Sequence, residues 1–357
     1  MPLYPLYALL FLDTGLSTAE VSGLFAVWSV TALLAEVPGG ALADRWSRRG
    51  VLALGGVLQA LAFVVWTVGP SAAGFAAGFA VWGLAGALVS GTVEALVHDG
   101  LADLGAEEAF ARVHGWMTSA ELLVQVPTAA AAGGLYALGG YPLVGWASVA
   151  VCLAWAALAL RFPEPPREPD GGSLLGTLRL GLADVAQVPA LRLTVLAMAL
   201  VGGLDAVEEY FPVLAGDRGV PTVAVPLAVL GIALAGALGA ALGGRVAGLP
   251  DRALPALLLL AGVLLGAVAV LPGPAALAVV AASYGLYLAV LVVAEARLQE
   301  RIESTRRATV TSVAGVGVEV GGLLVFAAWA AGGVAAVAVL VLAVVPVAAA
   351  GLRRPVS

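Results

Sequence analysis

The sequence predicts an all-α membrane protein of twelve helices in two six-helix bundles, with the first helix truncated. Of its 357 residues, 61% are hydrophobic and 11% charged, and the mean hydropathy is +1.03. Soluble domains carry about 25% charged residues, so the bilayer is the solvent this chain suits. Its apolar runs are long and rich in Ala, Leu, Val and Gly, without the alternating ~10-residue pattern of a membrane barrel. A segment that must satisfy its own backbone in hydrocarbon is then a helix. The third observation is that the arginines gather on one side of those runs.

A spanning helix needs ~20 apolar residues. Runs of that kind lie at 21–42, 51–69, 72–98, 113–137, 142–160, 191–214, 221–244, 254–272, 275–296, 308–330 and 334–352. Ahead of them, "MPLYPLYALLFLD" is too short to span before it meets Asp13. An upstream in-frame start adding roughly 8–15 residues is expected to complete this first helix. No cleavable signal peptide is expected, because the N-terminus lacks a basic leader region.

Alternating the loops tests the count. One side collects Arg45, Arg48, Arg49, Arg112, Arg161, Arg167, Arg179, Arg192, Arg245, Arg252, Arg297, Arg301, Arg306, Arg307, Arg353 and Arg354. The other holds Arg218 alone, beside Asp217, and there is no lysine. By the positive-inside rule the crowded side is cytoplasmic, with the C-terminus there too. The Ala, Gly and Arg enrichment suggests a GC-rich bacterium, hence its cytoplasmic membrane. A single cysteine, Cys152, excludes an intrachain disulfide.

The longest polar interruption is "RFPEPPREPDGG" at 161–172. It divides the chain into an N-terminal half at 1–160, a cytoplasmic linker at 161–190 and a C-terminal half at 191–357. Within the linker, "SLLGTLRLGLADVAQ" at 173–187 has leucines at helical spacing behind Ser173. It reads as an amphipathic helix on the membrane surface.

Between the second and third helices lies "GGALADRWSRRG" at 39–50. Here the chain resembles the major facilitator superfamily, whose signature at this place is Gly-x-x-x-Asp-Arg-x-Gly-Arg-Arg. Gly40, Asp44, Arg45, Arg48 and Arg49 match in register, with Ser47 where the family has glycine. The preceding "LLAEVPGG", with Glu36 and Pro38, is similar to drug-efflux members, and the likeness extends to "SGTVEALVHDGL" and "ERIESTRRATVTSV". The resemblance implies a twelve-helix major facilitator fold, with the knot beside the start of the eleventh helix near Ala308–Thr311. A helix N-terminus carries unpaired N–H groups and a partial positive charge, so Asp44 is expected to cap it while Arg45 or Arg48 pairs with Asp99. Gly40, Asp44, Arg45, Arg48 and Asp99 thus form an expected conformational latch. Arg49 reads as a topology signal alone.

Ionisable groups inside spans are costly and usually face a cavity. Glu319 and Gln125 fall near mid-depth by the rise per residue, with Glu121 a turn nearer the cytoplasm. Asp205 lies somewhat outward of centre, and Tyr284 and Tyr287 reach mid-depth on the tenth helix. These six are the expected substrate- and proton-binding residues, with Glu319 the first candidate for proton coupling and Asp205 the next. Glu94, Glu295, Glu208 and Glu209 sit nearer span ends, where a carboxylate reaches the interface. His98 and His114 read as loop residues, and Trp116 as packing or an interface anchor.

No arginine occupies the middle of a span, so an anionic substrate has no fixed counter-charge. An acidic, aromatic cavity suits a cation, a neutral amphipathic molecule or protons. The function expected is secondary active transport of a small molecule by alternating access, as proton-coupled efflux. The alternatives are a proton-coupled nutrient symporter and, from another class, a non-transporting membrane sensor or scaffold. The Gly-Pro-x-x-Gly-Gly signature of drug/proton antiporters is absent from the fifth helix, which reads "VQVPTAAAAGGLY". No metal-ligand cluster, hydrolase triad or phosphate-cradling loop is legible, so neither enzyme activity nor a cofactor is expected. The expected partners are the substrate, protons and lipid, with no nucleic acid, and the chain is expected to be a monomer.

Overall fold

The computed structural model describes residues 1–164, 188–302 and 307–354. Among them there is no strand. The main helices are α1 Tyr7–Asp13, α2 Thr18–Arg45, α3 Arg48–Val68, α4 Ala72–Val89, α5 Thr92–Asp103 and α6 Phe110–Ala159, followed by α7 Pro189–Gly203, α8 Phe211–Asp217, α9 Val225–Ala241, α10 Gly243–Ala247, α11 Ala253–Val268, α12 Ala276–Arg301 and α13 Arg307–Gly351. Seven described stretches are long and apolar enough to cross a membrane, and Tyr4–Asp13 and Ala253–Val268 are shorter apolar helices. The expected surface helix at 173–187 lies outside the described residues.

Twelve passes emerge once two long helices are divided. α6 turns back at Gly139 and Gly140, and α13 at Gly332 and Gly333. The second glycine of each pair has a positive φ, 62° and 59°, which a side chain rarely tolerates. The sequence places each gap correctly and the structure makes it a two-residue reversal. Helix entries are set locally: Ser47 Oγ accepts from Gly50 N at 3.0 Å and Ser71 Oγ from Gly74 N at 3.2 Å, capping α3 and α4.

Contacts sort the chain into two compact units, one of Met1–Ser17, Leu24–Gly171 and Thr222–Leu227, the other of Thr18–Gly23, Gly172–Pro221 and Ala228–Ser357. The first unit has an aromatic core. Tyr7, Phe11, Phe63, Trp66, Phe75 and Phe79 are buried, with Phe11 and Phe75 centroids 4.2 Å apart and Trp66 4.8 Å from Phe79. The Trp66 indole N–H donates to Phe75 O at 3.2 Å, so the large ring is buried without an orphaned donor.

The second unit is packed through small residues, as spans without a hydrophobic drive between them require. A Cβ on Gly239 of α9 would stand 1.9 Å from Gly285 O of α12. One on Gly203 of α7 would stand 2.4 Å from the Gly321 carbonyl carbon of α13.

Candidate functional site

The knot between α2 and α3 is built inside the first unit. Arg48 Nη1 donates to Asp99 Oδ2, one of the two pairings the sequence left open, and to Ala95 O at 2.8 Å. Both partners are half-buried, at 15% and 30% exposure. A residue not singled out from sequence completes the arrangement. Glu164, just beyond the sixth span, accepts from Arg48 N and from Ser47 Oγ, and lies 3.4 Å from Arg49 Nε. A carboxylate on the first N–H of a helix satisfies an orphan donor and meets the positive end of the dipole. Ser47 therefore caps α3 and anchors Glu164 at once, two bonds glycine cannot make. Arg49, read as a topology signal, reaches Glu164 and Phe162 O. Gly40 lies on α2 with open space where a Cβ would be. The Asp44 and Arg45 side chains lie outside the described residues, as do those of 307–309.

The second unit carries a charged cluster of its own. Asp251 lies 3.2 Å from Arg297 Nη2 and accepts from Arg354 N at 3.1 Å. Arg297 is buried and also donates to Leu352 O.

Deeper in the second unit, the seventh span breaks. After Gly203 the chain tightens into a 3-10 helix, Leu204–Tyr210, and Pro212 opens α8. In a 3-10 helix residues i and i+3 eclipse, which puts Asp205 and Glu208 on one line. The Tyr284 hydroxyl reaches both, at 3.1 Å from Asp205 Oδ1 and 3.4 Å from Glu208 Oε2. Glu208, expected at the interface, is instead part of this site, because the break turns it toward α12. Tyr287 is buried and donates to Val201 O at 2.9 Å, satisfying a carbonyl that the end of α7 leaves free. Beside them a cavity of about 20 Å³ is lined by Leu204, Val207, Phe211, Ser283, Tyr284 and Tyr287 among others, room for about one water.

Three expected binding residues, Asp205, Tyr284 and Tyr287, thus come together. Glu319 is exposed on α13, and Glu121 and Gln125 are exposed on α6 in the first unit. Glu164 and Glu208 are the residues sequence reasoning missed. Pro163 just before Glu164 hints at a chain stop, but nothing local points 116 residues back to Arg48. No group of three or more metal-ligating side chains occurs among the described residues.

The sequence model of the Major Facilitator Superfamily matches residues 1–326. The chain belongs to the major facilitator superfamily. Comparison with curated protein sequences finds no match. Among solved structures, this major facilitator protein is similar to a bacterial homolog of the human lysosomal transporter Spinster, with a TM-score of 0.72 and 17% identity over 99% of this chain and 88% of that one. It is similar to the nucleoside transporter NupG, with a TM-score of 0.71 and 14% identity over 97% and 91%. It is also similar to a D-xylose-proton symporter, with a TM-score of 0.71 and 14% identity over 94% and 89%. At such identities the likeness shows the fold: a twelve-helix, multi-pass major facilitator transporter.

Proposed function

We propose that this protein is a proton-coupled exporter of a cationic or neutral amphipathic compound in a bacterial cytoplasmic membrane, with Asp205, Glu208 and Tyr284 as its coupling site. The observation that carries the reading is one hydroxyl facing two carboxylates, at 3.1 and 3.4 Å. A phenol has one hydrogen, so it donates to one carboxylate and accepts from the other only when that one holds a proton. The trio is therefore a proton-holding device that a cation can disturb by drawing negative charge onto both acids. No arginine lies mid-span to neutralise them. Competition of proton and cation for one site is the simplest antiport chemistry.

Glu319, Glu121 and Gln125 remain further binding candidates in this scheme. The knot of Gly40, Asp44, Arg45, Arg48 and Asp99 acts as a latch between the two access states, a bistable element that ligand binding biases. Asp44→Asn is expected to lower transport while leaving the protein folded.

The test is uptake of a panel of cationic dyes into proteoliposomes, with and without a pH gradient, in both directions. Gradient-driven dye movement lost in Asp205→Asn and Glu208→Gln supports the reading. Dye-independent proton flux, or gradient-driven movement unchanged in both variants, overturns it. Proton-driven uptake of a nutrient, the second reading, is supported by similarity to a D-xylose-proton symporter and appears in the same assay as accumulation with the proton gradient.

A further inference from the structure

The C-terminal end of α13 is fastened by side chains from elsewhere in the second unit. Arg301 of α12 donates to Gly351 O at 3.1 Å, to Arg353 O and to Thr194 Oγ1 of α7. Arg297 donates to Leu352 O. Thr194 Oγ1 in turn donates to Gly351 O at 2.9 Å, and a Cβ on Gly351 would stand 2.5 Å from Leu193 O. The last turn of α13 is thus seated on the first turns of α7. The final carbonyls of a helix carry partial negative charge, which is why cations gather there.

A carbonyl satisfies a guanidinium as a donor but leaves its charge whole. In the knot of the first unit, Arg48 and Arg49 are each met by a carboxylate, Asp99 and Glu164. At the α13 end Asp251 is the carboxylate in reach, and Arg297 and Arg354 share it. Among the described residues no carboxylate pairs with Arg192, Arg301 or Arg353. Arg353 Nε donates to Ala349 O at 3.1 Å, within its own helix end, and its two Nη groups are open. Arg192 is exposed on the first turn of α7. Two guanidinium forks therefore stand unclaimed, one on each helix that the Thr194–Gly351 bond joins.

Beyond Arg192 the exposed face of α7 turns apolar. Leu193 is 36% exposed and Leu196 47%, and with Arg192 they fall within an arc of about 100°. Cations at the end of an apolar helix face match a phospholipid, with its phosphate at the end and an acyl chain alongside. The planar fork of arginine suits two phosphate oxygens at once, and basic clusters at the ends of spans hold anionic headgroups. A free phosphate would leave the leucines unused.

We propose that the α7–α13 junction holds an anionic phospholipid, its phosphate on Arg353 and Arg192 and an acyl chain along Leu193 and Leu196. Arg301 is a positioning residue that fixes Arg353 through its carbonyl. The site lies at the arginine-rich end of the second unit, apart from Asp205, and stands without proton coupling.

The purified full chain is placed in micelles holding equal amounts of dioleoyl phosphatidylglycerol and dioleoyl phosphatidylcholine. Native mass spectrometry then counts the two lipids retained. The parent is expected to keep the anionic lipid in at least tenfold excess. An arginine near a membrane surface contributes roughly fivefold to such binding, so Arg192→Gln together with Arg353→Gln should lower the ratio at least tenfold. Arg161→Gln, at an exposed arginine just beyond α6, should leave it within about twofold. A parent ratio near one, or a fall no larger than that of Arg161→Gln, overturns the site. If the double variant is not monodisperse, Arg353→Gln alone carries the comparison with an expected fall of threefold or more, because that side chain bonds only within its own helix end. Inorganic phosphate and glycerophosphoglycerol, the headgroup without its chains, are added as competitors in tenfold excess. Unchanged retention supports the lipid, and displacement by either overturns it in favour of a bare anion site.

Discussion

The Tyr284 hydroxyl donates to Asp205 Oδ1 across 3.1 Å, linking the broken seventh span to α12. The contact sits on the 3-10 segment Leu204–Tyr210, where residues three apart eclipse and Asp205 and Glu208 share one line. Hydrogen bonds to charged acceptors are worth about 1.5–3 kcal/mol, enough to shift a transport equilibrium by one to two orders of magnitude.

Tyr284→Phe keeps the ring that packs edge-on to Phe211 at 5.0 Å and removes only the hydroxyl. The variant is expected to fold, to lose gradient-driven transport at least tenfold, and to retain substrate exchange without a gradient. Parallel measurement of both fluxes in proteoliposomes checks this; equal loss of both assigns the hydroxyl to substrate binding instead.

Glu319→Gln separates two coupling schemes. With the Asp205 site in charge, gradient-driven transport should survive in this variant to within about threefold. Abolished driven transport with intact exchange would move the coupling role to Glu319. Membrane expression and thermal stability are measured alongside.

The Arg48–Asp99 pair should couple energetically. Contacting residues show interaction terms of about 0.5–3 kcal/mol, so Arg48→Gln and Asp99→Asn together should cost less than the sum of each alone. Thermal denaturation in detergent supplies the cycle, and strict additivity would dissolve the pair.

Ser47 and Glu164 act on one helix end. Ser47→Ala is expected to cost about 1 kcal/mol and Ser47→Gly only a few tenths in capping. Glu164→Ala should cost more than Glu164→Gln, because the amide oxygen still accepts from Arg48 N. A melting order that places Glu164→Gln below Glu164→Ala would argue against that acceptor role.

Two glycines on α9 make a controlled comparison. Gly239→Ala would put a Cβ 1.9 Å from Gly285 O, whereas Gly231 has open space around it. Gly239→Ala should lose folded protein on extraction. Gly231→Ala should melt no lower than the parent, helped by up to about 1 kcal/mol of helix propensity.

What the sequence determined by itself is what solvation dictates residue by residue. Long apolar runs must be helices in lipid, sixteen arginines on one side set the orientation expected of them, and the spacing of "GGALADRWSRRG" marks the knot. Asp205, Tyr284 and Tyr287 were legible because a polar group within a span is conspicuous. Tertiary structure alone decided which of them meet. Glu208 lies on Asp205's face at helical spacing, but that both acids meet the Tyr284 hydroxyl is decided by how the broken seventh span packs on α12, which no periodicity announces. Glu164 found Arg48 across more than a hundred residues for the same general reason: a carboxylate's partner is set by which helix ends the packing brings side by side, and the close glycine contacts that fix this packing, Gly239 on Gly285 and Gly203 on Gly321, are long-range facts that one stretch of sequence does not contain.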